Sequence, residues 1–485
     1  MTMSESTNKV QIDDAHSRIF LLAILLSGIV TMLNTSTVTI SLPTYMSVFH
    51  VDINTVQWVV TGYMLPLGMV MPLSEYLCER FSYRTVFLTA MGALGLCSLG
   101  CALSMNFFML VVFRFLKGIC GGIIIPSSMA MIYRYVPRRR QADYLGTTML
   151  FQSFGTLLGP TVAGLLLQVS SWHVLFLINL PLVLLVLWAA KKSIPAEAIN
   201  MDVDKIDFLG CGQVSLGSGL VMLAFSMGDS WGWTSVTFWS CAVIGVALVI
   251  LFIVRQFHTS HPLLNFGVLK YKAFSFAMLV QCVIALTLGI NAILSQFYFQ
   301  TGRGLSPATT GLLLLFPSIM MLVGNATTLR LHKRGLMKSL ITGGVLCAIV
   351  GNMGLCNLNL ESNLVFVLAC FGLRFFGISM AQMPLTNYGL GAVPRELSGH
   401  ASSLFNWGKQ LVQTVSTNIL TVLLSMNMTR YYLAAGHSGE PIEGTMAYRE
   451  AAVEAVNTDY IYIAFFLVIA LICTFFIRSS KQKEK

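Results

Sequence analysis

Apolar runs of about 20 residues recur roughly fourteen times along this chain, and a run of that length matches the thickness of a bilayer core. Lipid offers a peptide group no hydrogen-bond partner, so each run must close its backbone bonds within itself, as a helix. The runs lie near residues 19–43, 57–77, 86–104, 108–133, 142–169, 173–190, 208–227, 237–254, 273–300, 308–329, 339–358, 363–391, 399–428 and 460–477. The expected class is an all-α polytopic membrane protein. The first run is too long for a removable signal peptide and lacks a small-residue cleavage site, so it reads as a retained span. Composition agrees: 10% of the 485 residues are charged, against about 25% in a soluble domain.

The net charge of +10 reads as topology. With the N-terminus inside, 23 of the 30 Lys and Arg fall in inner segments, whereas Arg303, Arg430 and Arg449 fall outside. That asymmetry predicts both ends in the cytoplasm and a multi-pass protein of the inner (plasma) membrane. It removes the reason to expect a nucleic-acid partner. Most of the eleven cysteines sit in apolar runs, where cysteine acts as a small hydrophobe, and no CxxC or Cys/His metal spacing occurs. Nucleotide-binding glycine loops and nucleophile elbows are also missing, so neither an enzyme nor a cofactor is expected.

An internal repeat organises the runs. "RFLKGICGGIIIP" begins at Arg114 and "VPRRRQADYLG" at Val136; "RFFGISMAQMP" begins at Arg374 and "VPRELSG" at Val393. Both copies place an arginine in a span and Val-Pro-Arg at its inner exit, which predicts parallel halves with a substrate cavity between them. The separation of 260 residues exceeds six spans, and two extra spans, 208–227 and 237–254, fill the difference. The expected domains are a six-helix half over 1–190, an inner linker with two extra spans over 191–255, and a six-helix half over 256–485. The last carries an outer loop at 429–459, read as solvated loop or as a loop with a helical cap around 446–456.

Four basic residues remain inside spans: Arg114, Lys117, Arg374 and Lys409. Burying such a charge costs about 2.5–3.5 kcal/mol even on insertion scales, so each is a functional candidate. Arg114 and Lys117 share a helix face. The bland alternative is that Arg114 donates to backbone carbonyls and only braces helices. Lys409, with Gln410 beside it, lies about ten residues into its span. All 20 acidic residues are expected in loops or at span ends, the nearest to the core being Glu75 and Glu79. The first span also holds "LNTSTVTISLP" from Leu33, an unusually polar run that is expected to form its cavity face. In "GTLLGPTVAG", Gly155 and Gly159 are spaced for close helix approach, and Pro160 and Gly164 follow.

These residues resemble the fourteen-span drug:proton antiporters of the major facilitator superfamily over nearly the whole chain. "GPTVAG" resembles that family's antiporter motif. "RFLKGICGG" resembles its fourth-span motif, which would make Arg114 the proton-coupling arginine, with Lys117 where glutamine is usual. "LCERFSYR" resembles the loop after span 2, which implies an inner gate of Glu75, Glu79, Arg80 and Arg84; Glu79 replaces an aspartate, and Glu75 and Ser82 replace glycines. "QWVVTGYML" from Gln57, "FLINLP" from Phe176, "DSWGWTS" from Asp229 and "HPLLNF" from His261 resemble further landmarks. The span 1 signature usually opens Leu-Asp and here opens Leu33-Asn34, so the family's candidate cation-binding acid is an amide.

The resemblance implies the major facilitator fold: two parallel six-helix halves plus two central helices. It implies a secondary active transporter that exports amphipathic drugs or other small compounds by proton antiport with alternating access. Asn34, Gln57, Lys117, Arg374, Lys409 and Gln410 would line the substrate pathway. Substrate, protons and the bilayer are the expected partners, with a periplasmic adaptor in a two-membrane cell. Cationic groups in the core without an acid favour an anionic or neutral metabolite or lipid as the alternative cargo. A passive facilitator or substrate exchanger is a third reading, and a non-transporting membrane sensor or scaffold would also fit a chain lacking a core carboxylate.

Overall fold

The computed structural model describes residues 14–51, 53–197, 207–259, 262–437 and 445–476, and every regular element among them is helical. The principal helices are α1 (Asp14–Ile40), α2 (Trp58–Val70), α3 (Ser74–Phe81), α4 (Tyr83–Ala102), α5 (Phe107–Tyr135), α6 (Arg138–Val169), α7 (Asn179–Ser193) and α8 (Phe208–Ser226). They continue as α9 (Val236–His258), α10 (Lys272–Gly289), α11 (Pro307–Leu331), α12 (Met337–Gly354), α13 (Leu364–Gly391), α14 (Ser398–Ala434) and α15 (Met446–Phe475). Beyond Gly289 the α10 rod continues through Asn291–Gln296 into a π-helical turn at Phe297–Gly302.

Among the described residues, 13 helices are long and apolar enough to cross a membrane, and the chain is a multi-pass membrane protein. The span expected at 57–77 is divided instead. It consists of α2, 13 residues long with Pro66 inside, a 3-10 turn at Met71–Leu73 containing Pro72, and the 8-residue α3. Each proline removes a backbone donor and crowds the preceding turn. Neither helical piece therefore reaches spanning length alone.

The far end of the chain corrects an expectation. Helix covers much of the segment expected as an outer loop at 429–459: α14 runs to Ala434, α15 begins at Met446 and takes in the helical stretch around 446–456, and residues 438–444 lie outside the described residues. The charges of Arg449, Glu450 and Glu454 obscure a good helix former, "MAYREAAVEAVN", capped by the Thr445 hydroxyl accepting from the Tyr448 amide. Asp459, placed outside the membrane by sequence, sits 14 residues into the 30-residue α15 and is 0% exposed.

The polar run of α1 is also resolved. Thr31 donates to the carbonyls of Ser27 and Gly28, Thr35 to that of Thr31, Thr37 to that of Leu33 and Ser41 to that of Thr37. Back-bonding of this kind satisfies a hydroxyl inside its own helix. Thr37 and Ser41 are buried, so these two do not form a wet face.

Two compact units emerge. The first comprises residues 1–215, 250–268 and 393–406. Within it α5 packs on α2 and α4, and α1 packs on α6 and α7. A Cβ added at Gly118 or Gly122 would lie 2.3 or 2.5 Å from the carbonyls of Tyr63 and Leu67, so α5 and α2 touch through bare backbone. The second unit comprises 216–249, 269–392 and 407–485. There α13 packs on α10, α11 and α12, and α15 packs on α10 and α12. Gly344 and Gly377 repeat the bare-backbone contact between α12 and α13.

The two extra helices form a hairpin fastened at both ends. Gly217 and Gly245 allow close approach of α8 and α9, and Phe225, Trp233 and Phe238 cluster near the turn. At the open end Asp207 accepts from the Gly210 amide at 2.9 Å and from Arg255 Nε and Nη2 at 3.1 and 2.9 Å. Partial burial opposes its charge, but the Arg255 fork and the Gly210 amide outweigh that and hold its carboxyl below the usual range.

Candidate functional site

In the first unit the repeat arginine anchors a buried polar core. Arg114 is 1% exposed; its Nε donates to the Val59 carbonyl at 2.9 Å and its Nη1 to the Asn34 carbonyl at 3.0 Å. The guanidinium lies 4.5 Å from the centre of the Tyr63 ring, a cation–π distance. Three helices, α5, α2 and α1, are thereby joined by one side chain. Asn34 is 2% exposed. Its amide donates to the Val30 carbonyl, and its side-chain oxygen accepts from Asn179 at 3.3 Å. Arg114 and Asn34 thus come together through the main chain of Asn34, while its amide is turned to Val30 and Asn179.

Lys117, one turn along α5, is 0% exposed, and its Nζ has no hydrogen-bond partner; the Phe176 ring stands 5.1 Å away. A ring face offsets part of the lost hydration but supplies no acceptor. Gln57 does not join this core: its side chain is exposed, and its carbonyl starts α2 by accepting from Val60 and Thr61.

The second unit repeats the arrangement. Arg374 is 0% exposed, donating Nη2 to the Thr287 carbonyl at 2.9 Å and Nη1 to the Asn291 side-chain oxygen. Tyr460 stands 5.5 Å from it, in the place that Tyr63 takes beside Arg114. Lys409 and Gln410 are half-buried on α14, and Gln410 donates to Thr414 at 3.4 Å.

Next to Tyr460, Asp459 brings a carboxylate into this unit. Neither of its oxygens meets a donor at hydrogen-bonding geometry, and the Asn427 amide of α14 lies beside it, itself without a partner. Sequence reasoning missed Asp459 because it began the last span at residue 460, one residue too late. Asn291, Asn179 and Tyr460 were missed because only tertiary packing brings them to the arginines.

The gate residues take partners other than one another. Glu75 is 1% exposed, and both its oxygens accept from Tyr83 Oη at 2.7 Å. Its carboxylate fills the space over Gly399 at the start of α14, where the helix dipole favours an anion. Glu79 faces His400 Nε2 at 3.4 Å, while Ser74 and Ser403 share a hydroxyl contact of 2.8 Å. Arg80 donates to Tyr76 Oη and Arg84 to the Lys191 carbonyl. The acids therefore engage the first turn of α14, and the arginines find acceptors nearer to hand. His400 carried no motif that pointed to this role.

Of the glycine motif, Gly155 makes the close contact: a Cβ there would lie 2.9 Å from Met32 Cβ on α1. Gly159 is buried, and α6 runs unbroken through Pro160. At Gly164 an added Cβ would meet nothing within 4 Å among the described residues.

The chain is similar to several known proteins. The uncharacterized MFS-type transporter YhcA of Bacillus subtilis is 28% identical over 424 residues, covering 86% of this chain and 79% of its own length. The lincomycin resistance protein LmrB of Bacillus subtilis is 26% identical over 463 residues, covering 95% and 96%. The multidrug resistance protein Stp of Mycobacterium tuberculosis is 25% identical over 394 residues, covering 80% and 72%. Among solved structures, the human organic anion transporter MFSD10 aligns with a TM-score of 0.63 at 12% identity, over 93% of this chain and 99% of its own. The proton:xylose symporter XylE aligns with a TM-score of 0.63 at 15% identity, over 94% and 96%. The family model of the Major Facilitator Superfamily matches residues 24–202 and 209–417, and this chain, a transporter by family, belongs to that superfamily.

Proposed function

We propose that this chain is a secondary active exporter of amphipathic drugs or similar small compounds, working by proton antiport and alternating access in the plasma membrane. Both termini lie in the cytoplasm, as the distribution of Lys and Arg favours. The observation that carries the reading is the near full-length likeness to a lincomycin resistance protein, 26% identity over 463 residues. The site geometry supports it. The buried Arg114 core and its Arg374 counterpart are rigid bundle centres, and the unpartnered Lys117 is an expensive feature for a scaffold to keep. The lack of a core carboxylate, which favoured a sensor, no longer argues for one, because Asp459 is buried in α15. Asn34, Lys117, Lys409 and Gln410 line the substrate pathway in this reading, and Arg114 takes part in proton coupling.

The test is transport by the purified chain in lipid vesicles, paired with lincomycin and ethidium accumulation in a pump-deficient host. The expected result is export that follows an imposed pH gradient and weakens in Arg114→Ala. Absence of flux for every compound, with or without the gradient, overturns the transporter reading. Flux indifferent to the gradient overturns the proton coupling alone. Asn34→Asp is expected to shift the spectrum toward the cation ethidium, and an unchanged spectrum removes Asn34 from the pathway.

A further inference from the structure

An exporter driven by protons needs a group that takes a proton on one side and yields it on the other, and α15 carries one that the sequence motifs leave unassigned. Asp459 is 0% exposed, and neither carboxylate oxygen has a hydrogen-bond donor. Residues on either side of it are well fastened. Asn457 exchanges two hydrogen bonds with the Leu358 backbone at 3.0 and 2.8 Å, and Thr458 shares a hydroxyl contact of 2.8 Å with Tyr431. The Tyr460 carbonyl accepts from Asn352 at 2.7 Å. The bundle thus holds Asp459 firmly in place while giving its carboxylate nothing to bind.

The surrounding titratable and charged groups are identifiable. Tyr460 follows in the chain, with Arg374 of α13 5.5 Å from its ring. Tyr298 of the π-helical turn and Cys356, just beyond α12, act electrostatically on Tyr460. On α14, Tyr431 is tied to Thr458, and the neutral Asn427 amide lies beside Asp459. Arg374 gives its Nη groups to Thr287 and Asn291 and leaves its Nε without a partner, and no ion pair between Arg374 and Asp459 is seen among the described residues. An anion at this position forfeits its hydration with only the neutral Asn427 amide beside it, and a proton removes that charge. When the carboxylate is charged instead, the spare Asn427 Nδ2 beside it is available to donate.

We infer that Asp459 is a proton-binding site of this chain, its carboxylate taking and releasing, with the Asn427 amide as partner, the proton that accompanies substrate movement. The inference rests on the proposed antiport. In the step, a hydronium ion from the aqueous phase gives a proton to one Asp459 oxygen, forming an O–H bond and leaving water; release is the reverse. No other bond changes. Because Asp459 is buried in this conformation, exchange with water requires the helices around it to move, which couples the proton to conformational change.

The experiment uses the full chain in vesicles, with lincomycin as the transported probe. Native protein, Asp459→Asn and Asp459→Glu are compared for transport driven by a pH gradient and for counterflow driven by lincomycin alone. Infrared spectra of the same samples report the carbonyl stretch of a protonated carboxylic acid. Asp459→Asn is expected to lose gradient-driven transport by about tenfold or more and to keep counterflow within about twofold. Its infrared difference from native should show one missing protonated acid. Asp459→Glu should retain coupling, which separates loss of the carboxylate from loss of packing. Gradient-driven transport intact in Asp459→Asn overturns the inference, and so does an infrared spectrum identical to native. A native chain that moves lincomycin under neither condition overturns the exporter reading for that probe, and the infrared comparison still decides whether Asp459 holds a proton.

Discussion

The Glu75 carboxylate occupies the space in which a Cβ on Gly399 would stand. A buried carboxylate is thereby seated on the first turn of the 37-residue α14. The backbone amides there carry the positive end of the helix dipole, worth about 0.3–1 kcal/mol to a nearby anion and up to ~2 kcal/mol when partly buried.

Gly399→Ala is expected to destabilise the protein by about 1–3 kcal/mol, because its methyl group displaces a carboxylate already fixed by Tyr83. Glu75→Ala removes the obstacle, so the double variant should be clearly more stable than the sum of the single effects. Thermal unfolding in detergent of the two single variants and the double variant measures this. Simple additivity would show that the two residues do not meet.

Lys117 invites the opposite kind of substitution. Its ammonium is fully buried without an acceptor, and replacing a poorly compensated buried charge with an apolar side chain of similar volume is often neutral or stabilising by about 1–4 kcal/mol. Lys117→Met is expected to raise the unfolding midpoint and to lower transport in vesicles at the same time. A fall in both would instead mark Lys117 as a structural residue of the Phe176 contact.

The apolar runs and the arginine repeat made most of the fold legible, because lipid leaves one solution for an apolar backbone. They did not expose the break at Pro72, since a run of apolar residues reads the same whether its helix is whole or divided. Arg114 and Arg374 were legible as buried charges. Their acceptors, the carbonyls of Val59, Asn34 and Thr287, carry no sequence signal at all, since every residue has a carbonyl. The polar run of α1 was legible as unusual, but composition cannot distinguish a hydroxyl that meets water from one that bonds the preceding turn, as those of Thr37 and Ser41 do. Asp459 was hidden by Arg449, Glu450 and Glu454, charges that end an apolar run without ending the helix.

Arg114 and Arg374 should behave as braces of separate cores. Arg114→Ala removes the guanidinium's bonds to the Val59 and Asn34 carbonyls, and a hydrogen bond from a charged donor contributes about 1.5–3 kcal/mol. Arg114→Lys keeps the charge but replaces a planar fork with a single donor point, so an intermediate loss is expected. The two arginines share no partner among the described residues. The stability losses of Arg114→Ala and Arg374→Ala should therefore add within about 0.5 kcal/mol. Unfolding midpoints of the single and double variants check this, and a strong departure from additivity would mean that the two cores are coupled.

Asp207 gives the one prediction that turns on pH. Its carboxyl is held below the usual range by Arg255 and the Gly210 amide against the opposing effect of partial burial, so the folded chain binds that proton less readily than the unfolded chain. Stability from this source is fully present above the ordinary aspartate value, about 3.9, and is lost as pH falls through the lower folded value. Asp207→Asn keeps the helix cap and removes the ion pair, so it should cost about 0.5–1 kcal/mol near neutral pH, the pair being partly exposed. Asp207→Ala removes the cap as well and should cost about 1 kcal/mol more. Measured as unfolding midpoints from pH 7 downward, the gap between native and Asp207→Asn should close below about pH 4, while the further gap to Asp207→Ala persists in part because Asn still caps α8. A native-to-Asn difference independent of pH would mean that the Arg255 pair contributes nothing to holding α8 against α9.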